Sequence, residues 1–198
     1  MSQQEFWNQK FSREGFLYGT KPNTFIASNS KSFPRGAKVL CLGEGEGRNA
    51  IFLAKRGFTV TAIDASDIGL SKLHFRALEE NVKVETICAD LNEWEVKEQY
   101  DVIVASYLHM YKSEREDLFD KIQDSLKVDG IFIGEFFSTK QLEYNSGGPK
   151  DEDLLYTVED FTKHFALYDT EVKEVVTILD EGKGHQGEAC VIRVIIKN

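Results

Sequence analysis

The chain has 198 residues, 41% of them hydrophobic and 29% charged. That is the make-up of one ordinary domain, residues 1–198, long enough to bury a core without disulfide or metal staples. Lys and Arg number 24 against 33 Asp and Glu, a net charge of −9, which disfavours nucleic acid or an anionic membrane as partner.

Residues 1–35 read as a cap or lid. They carry Phe6, Trp7, Phe11, Phe16, Tyr18 and Phe25 but no aliphatic strand. Trp7 and Phe11 stand at i, i+4, which predicts a short amphipathic helix, and Tyr18-Gly19-Thr20-Lys21-Pro22 breaks it. Residues 36–198 read as the core, where strands and helices alternate. Lys38–Leu42 is a strand that runs into glycines. Ala50, Ile51, Leu53 and Ala54 follow at helical spacing, and Gly57 stops that helix. Residues 58–63 form the second strand, ended by Asp64. Ser66 caps a helix with Leu70, Leu73, Ala77 and Leu78 on its apolar face. Residues 82–89 form the third strand, followed by Asp90, and residues 101–106 the fourth. Ser113 with Glu116 is a capping box for a helix that buries Leu118, Phe119, Ile122 and Leu126. Asp129-Gly130 then turns the chain into a fifth strand, 131–137.

This alternation predicts a parallel sheet with helices on both faces, its Val- and Ile-rich strands buried on both sides. The tail departs from it. Thr157 and Asp160 cap a short helix bearing Phe161 and Phe165. Strands 171–179 and 189–196 follow, joined by DEGKGHQGE. That link is too short for a parallel crossover, so the two strands pair as an antiparallel hairpin. The expected fold is α/β: a Rossmann-like, doubly wound sheet of about seven strands, mostly parallel, with a C-terminal antiparallel hairpin.

Cys41, Cys88 and Cys190 lie in apolar, strand-like stretches and read as buried thiols of a reducing compartment. The histidines, His74, His109, His164 and His185, show no metal-ligand spacing, so no metal is expected. Apolar runs end after about five residues, too short to cross a membrane. Residues 1–30 lack the basic start and apolar core of a signal peptide, and a cytoplasmic location is expected.

The chemistry concentrates in Val39-Leu40-Cys41-Leu42-Gly43-Glu44-Gly45-Glu46-Gly47-Arg48-Asn49. A strand meets three alternating glycines and then a helix. Glycine permits a tight turn and the close approach of a ligand, and the free N–H groups of the helix favour an anionic group. Gly45 to Ala50 satisfies the dinucleotide pattern G-x-G-x-x-A, which keeps a dinucleotide-dependent oxidoreductase as an alternative. Asp64, at the end of the second strand, is placed to accept hydrogen bonds from two ribose hydroxyls. Asp90, at the end of the third, is placed to read an exocyclic amine. Loop and acids point into one crevice outside the carboxyl ends of the strands.

These residues resemble the class I S-adenosylmethionine-dependent methyltransferases over residues 37–197. The resemblance implies S-adenosylmethionine as cofactor, with the Gly43-Glu44-Gly45-Glu46-Gly47 motif, Asn49, Asp64, Ala65, Asp90 and Leu91 as its binding residues. Ser106 and Tyr107, with Leu108 and His109, match the segment that flanks its methionine part. Cys41 stands where the family usually has an acid that anchors the cofactor's amino group. Glu44, in the same loop, either replaces that acid or faces solvent. Trp7-Asn8, Tyr18 to Asn23, Gln141-Leu142-x-Tyr144 and Gly147-Gly148-Pro149 resemble the tellurite-resistance and thiopurine methyltransferase-like group. That likeness implies a small soft acceptor, a thiol or a chalcogen oxyanion. Candidates for the acceptor side are Tyr18 and Trp7 as a lid, Arg48 to pair with a carboxylate or an anionic acceptor, His109 as a base or to position the acceptor, and His185, which a flexible glycine-rich turn would swing over the site. A monomer or weak homodimer is expected. A binding module without catalysis is the other alternative.

Overall fold

In the computed structural model, which describes residues 1–198, the aliphatic runs become seven strands: β1 (Lys38–Leu42), β2 (Thr59–Asp64), β3 (Val84–Cys88), β4 (Tyr100–Ser106), β5 (Leu126–Phe137), β6 (Asp169–Glu181) and β7 (His185–Lys197). Six α-helices accompany them: α1 (Gln3–Phe11), α2 (Thr24–Asn29), α3 (Arg48–Lys55), α4 (Asp67–Glu79), α5 (Lys112–Ser125) and α6 (Val158–His164). The strands form one sheet in the order β3-β2-β1-β4-β5-β7-β6. The first five are parallel neighbours, and β7 lies antiparallel to both β5 and β6. The expected mostly parallel sheet with its closing hairpin is therefore present. Strand order reverses between β1 and β4, and crevices in such sheets open at that point.

The two-residue period of β1 sorts its side chains onto two cores. Leu40 and Leu42 join Ile103, Phe132, Phe119 and Phe161 on the α5–α6 face. Val39 and Cys41 join Val104, Leu53, Leu70 and Leu73 on the α3–α4 face. Cys41 is fully buried there, and burial pushes its thiol well up. An ionised acid at this position would need a partner that the apolar neighbours do not offer.

Five expectations require correction. β3 is the sheet edge and is half open to solvent, with Glu85, Thr86 and Cys88 exposed. Cys88, on that edge, is exposed rather than buried. Leu78 is 63% exposed, since the buried stripe of α4 runs through Leu70, Leu73 and Ala77 and passes it by. Helix α5 begins at Lys112, before Ser113, and the Glu114 carboxylate accepts the Tyr111 N–H at 2.9 Å in place of the Ser113–Glu116 box. Finally, β6 and β7 pair through most of DEGKGHQGE, with Glu181 opposite His185, leaving Gly182-Lys183-Gly184 as the turn. His185 is thus a strand residue only 3% exposed, not a side chain on a mobile loop.

Candidate functional site

The carboxyl ends of β1, β2, β3 and β4 meet at one rim, and the glycine loop forms its floor. Gly43, Gly45 and Gly47 have φ of 59°, 58° and 87°, a region L side chains rarely adopt. The loop is also tightly packed: a Cβ on Gly47 would lie 2.4 Å from Leu73, and one on Gly45 2.8 Å from the Phe11 ring. Asp64 braces this loop. Its Oδ2 accepts the Gly45 N–H at 2.7 Å and its Oδ1 the Ser66 N–H at 2.8 Å. Burial nevertheless pushes its carboxyl up to about 6.

Glu44 does not face solvent: it is buried and lines the slot. Its Oε1 accepts the Asn49 and Ala50 N–H groups at 2.8 and 2.7 Å, so the carboxylate sits on the N-terminus of α3. Burial pushes it up to about 7, against those N–H groups and the Arg48 charge. Asn49 does not line the slot. Its amide joins the Asn23 N–H to the Ser106 hydroxyl and fixes the loop to the cap. Gly43, Glu44, Gly45, Gly47, Asp64, Ala65, Asp90, Leu91, Ser106 and Tyr107 all line one slot, as do Tyr18, Arg48, His109 and His185.

The cap covers this slot. Asn8 holds α1 down, donating to Asp67 at 2.7 Å and accepting from the Ser66 hydroxyl at 2.6 Å. Glu46 accepts the Leu17 N–H at 2.7 Å and pairs with Lys72 at 2.8 Å. Trp7 and Phe11 stack at 5.6 Å over the glycine loop. Under them the slot narrows to about 90 Å³, below the roughly 300–1,000 Å³ of small-molecule sites. Trp7, Phe11 and Tyr18 form the cap side of the slot's lining.

Beside the slot lies a buried charge cluster that the sequence reading missed. Arg48 Nη1 meets Glu181 Oε2 at 2.7 Å. Asn23 Nδ2 donates to Glu135 at 2.8 Å and to Glu181 at 3.1 Å. Glu135 also accepts the Tyr107 hydroxyl at 2.6 Å and Arg193 Nε at 2.7 Å. His185 Nδ1 lies 3.7 Å from Glu181, and its ring packs 4.4 Å from Tyr18 and 4.6 Å from Tyr107. Burial lowers the His185 imidazole, against the pull of Glu181. His109 differs: burial, with the charges of His185 and Lys10, pushes it down to about 3, and its buried Nε2 has no partner.

Residues 39–130 match the family described as a methyltransferase domain. That match covers 92 of the chain's 198 residues. Over 95 residues it is 30% identical to a protein described as a probable S-adenosyl-L-methionine-dependent methyltransferase, TehB of Haemophilus influenzae, a match covering 47% of this chain and 33% of that protein. The chain spans 33%, 51% and 26% of the first curated relatives it matches. The crystal structure of TehB from Haemophilus influenzae superposes with a TM-score of 0.73 at 18% identity, over 100% of this chain and 67% of that one. The N-methyltransferase NodS of Bradyrhizobium japonicum, solved with S-adenosyl-l-homocysteine, superposes with a TM-score of 0.73 at 11% identity, over 100% and 99%. These two likenesses concern the fold.

The methyltransferase domain matched over 39–130 supplies the glycine loop, Asp64, Asp90 and His109. His185, Glu181 and the cap lie outside that segment. Glu181 and His185, at i and i+4 across a glycine turn, were the only local sign of the buried pair.

Proposed function

We propose that this chain is an S-adenosylmethionine-dependent methyltransferase that acts on a small nucleophile, a thiol or a chalcogen oxyanion. The reading rests on one arrangement: glycine loop, Asp64 and Asp90 border a slot that His185 and Arg48 also line. Bound in the slot, S-adenosylmethionine supplies a methyl group already activated as a sulfonium.

The residues fit that cofactor. Gly43, Gly45 and Gly47 leave three of the five loop positions without a Cβ, Asp64 offers an acceptor at the end of β2, and Asp90 lines the same slot. Ionised Asp64 accepts hydroxyl donors, and the aromatic faces of Trp7 and Tyr18 suit a cation, worth roughly 0.5–2 kcal/mol. The chain then orients the acceptor and excludes water, which supplies about 7–11 kcal/mol of barrier lowering in favourable cases.

A thiol arrives protonated and needs a base. His185 Nδ1 faces Glu181, which leaves the Nε2 edge for the cavity. Its lowered pKa keeps the imidazole neutral near pH 7, and Glu181 then steadies the imidazolium formed on proton transfer. An oxyanion acceptor needs Arg48 but no base.

Calorimetric titration with S-adenosylhomocysteine tests the reading. Saturable binding that falls at least about tenfold in Asp64→Ala is expected, as is transfer of labelled methyl to a thiol panel. No binding at millimolar ligand overturns it.

A further inference from the structure

A second cavity of about 560 Å³ adjoins the slot and shares Trp7, Tyr18, His109 and His185 with it. The shared residues make one path, with His185 at the junction. Phe6, Leu17 and Leu154 give the second cavity apolar walls, and Lys10, Arg13 and Lys183 stand on its lining. No Asp or Glu lines it, although the chain has 33 acidic residues. None of the three cations makes an ion pair. The charge of Lys10 bears on His109, and that of Arg13 on Tyr18. Lys10 also lies 5.4 Å from the Phe6 ring centre, so its stem follows the cavity wall.

We propose that the acceptor is an amphipathic small acid, whose apolar body fills the second cavity, whose carboxylate or like anion rests on Lys10, Arg13 and Lys183, and whose nucleophile meets His185. The inference rests on the methyltransferase reading and names its substrate class. A bare chalcogen oxyanion has no use for an apolar chamber of this size. A neutral thiol gains nothing from three unpaired cations. A polyanion is held off by the remaining surface of a chain with net charge −9. A single anionic group is attracted locally, and salt screens that attraction.

The test is calorimetric titration with matched probes: thiosalicylate against thiosalicylamide, and mercaptoacetate against mercaptoacetamide. Each acid is expected to bind about tenfold tighter than its amide at low salt. The advantage should shrink as ionic strength rises and vanish in the Lys10→Gln/Arg13→Gln/Lys183→Gln variant, with S-adenosylhomocysteine affinity unchanged. Equal binding of acid and amide, no saturable binding of either acid, or a preference that survives in the variant overturns the proposal. Intact S-adenosylhomocysteine binding beside such a result removes the substrate class alone. Loss of S-adenosylhomocysteine binding by the wild-type chain removes the methyltransferase reading itself.

Discussion

The Arg48 guanidinium meets the Glu181 carboxylate at 2.7 Å, with 9% and 5% of their side chains exposed. One residue opens the helix after the glycine loop, and the other ends the last parallel-running strand, so the pair ties the cofactor side of the rim to the hairpin. The contact lacks an aligned hydrogen bond and is chiefly an attraction of charges. Removing one member of a buried pair strands the other, at about 3–5 kcal/mol. Arg48→Met and Glu181→Leu should each lower stability by about that much in urea unfolding. The double variant should lose clearly less than the two losses added. Strict additivity would show that the pair carries no coupling.

The same pair sets an acid limit. Burial pushes the Glu181 carboxyl up, but the contact with His185 and the Arg48 charge outweigh it and hold the group below its ordinary value. A lowered folded-state pKa means stability that is present above the unfolded value, about 4.3, and lost as pH falls through the folded one. Wild-type Tm should therefore drop below about pH 4 more steeply than that of Glu181→Gln. Parallel Tm curves for the two proteins would refute this.

Glu44 and Asp64 act in the opposite direction. Burial raises them to about 7 and about 6 despite their N–H partners. Their contribution to stability is complete below the unfolded values and is lost as pH rises through the folded ones. Between about pH 5 and 8, Tm should fall in the wild type and fall less in Glu44→Gln. S-adenosylhomocysteine affinity should rise over the lower part of that range, as Asp64 ionises. A pH-independent affinity would mean that Asp64 does not accept from the ligand.

If His185 is the base, its effect appears in rate and not in cofactor binding. His185→Gln should cut kcat for thiols by roughly 10²–10⁴-fold and leave S-adenosylhomocysteine affinity within about threefold. The wild-type rate should rise with pH through a value below that of ordinary His, because burial lowers the imidazole. That limb should disappear in the variant. A variant with full activity assigns the proton elsewhere.

What the sequence disclosed follows from the range of each interaction. β1 was legible to the residue, since four consecutive apolar side chains, Val39 to Leu42, leave no other strand. The glycine loop and Asp64 were legible because the turn and its acid come from adjacent strands with a fixed rhythm. His185 was found as a type but misplaced, because β6 and β7 extend through a stretch whose glycines suggested a longer turn. The cluster around Asn23 left no local trace. Its partners Glu135 and Glu181 lie 112 and 158 positions away, and only the closed sheet brings them together. Asn49 and Glu44 belong to the right loop, but their carbonyl and carboxylate were claimed by N–H groups of the scaffold, which the motif alone does not reveal.

The hairpin turn holds the cap, and two glycines give a graded test of that hold. Gly182 has a φ of 65°, and a Cβ there would lie 2.3 Å from the Gly19 N and 2.5 Å from the Tyr18 carbonyl carbon. A Cβ on Gly184 would lie 2.5 Å from the Tyr18 ring, with no backbone in the way at that distance. Backbone cannot yield as a ring can, so Gly182→Ala should lift the 17–19 segment, at about 1–3 kcal/mol of strain. Gly184→Ala should shift Tyr18 alone. Trypsin should then cut after Arg13 at least tenfold faster in Gly182→Ala than in Gly184→Ala, a margin of about 1.4 kcal/mol. Because Trp7, Phe11 and Tyr18 of the cap line the slot, S-adenosylhomocysteine should also dissociate faster from Gly182→Ala. Equal cleavage and equal dissociation would show that the cap is held by Asn8 and Glu46 without the turn.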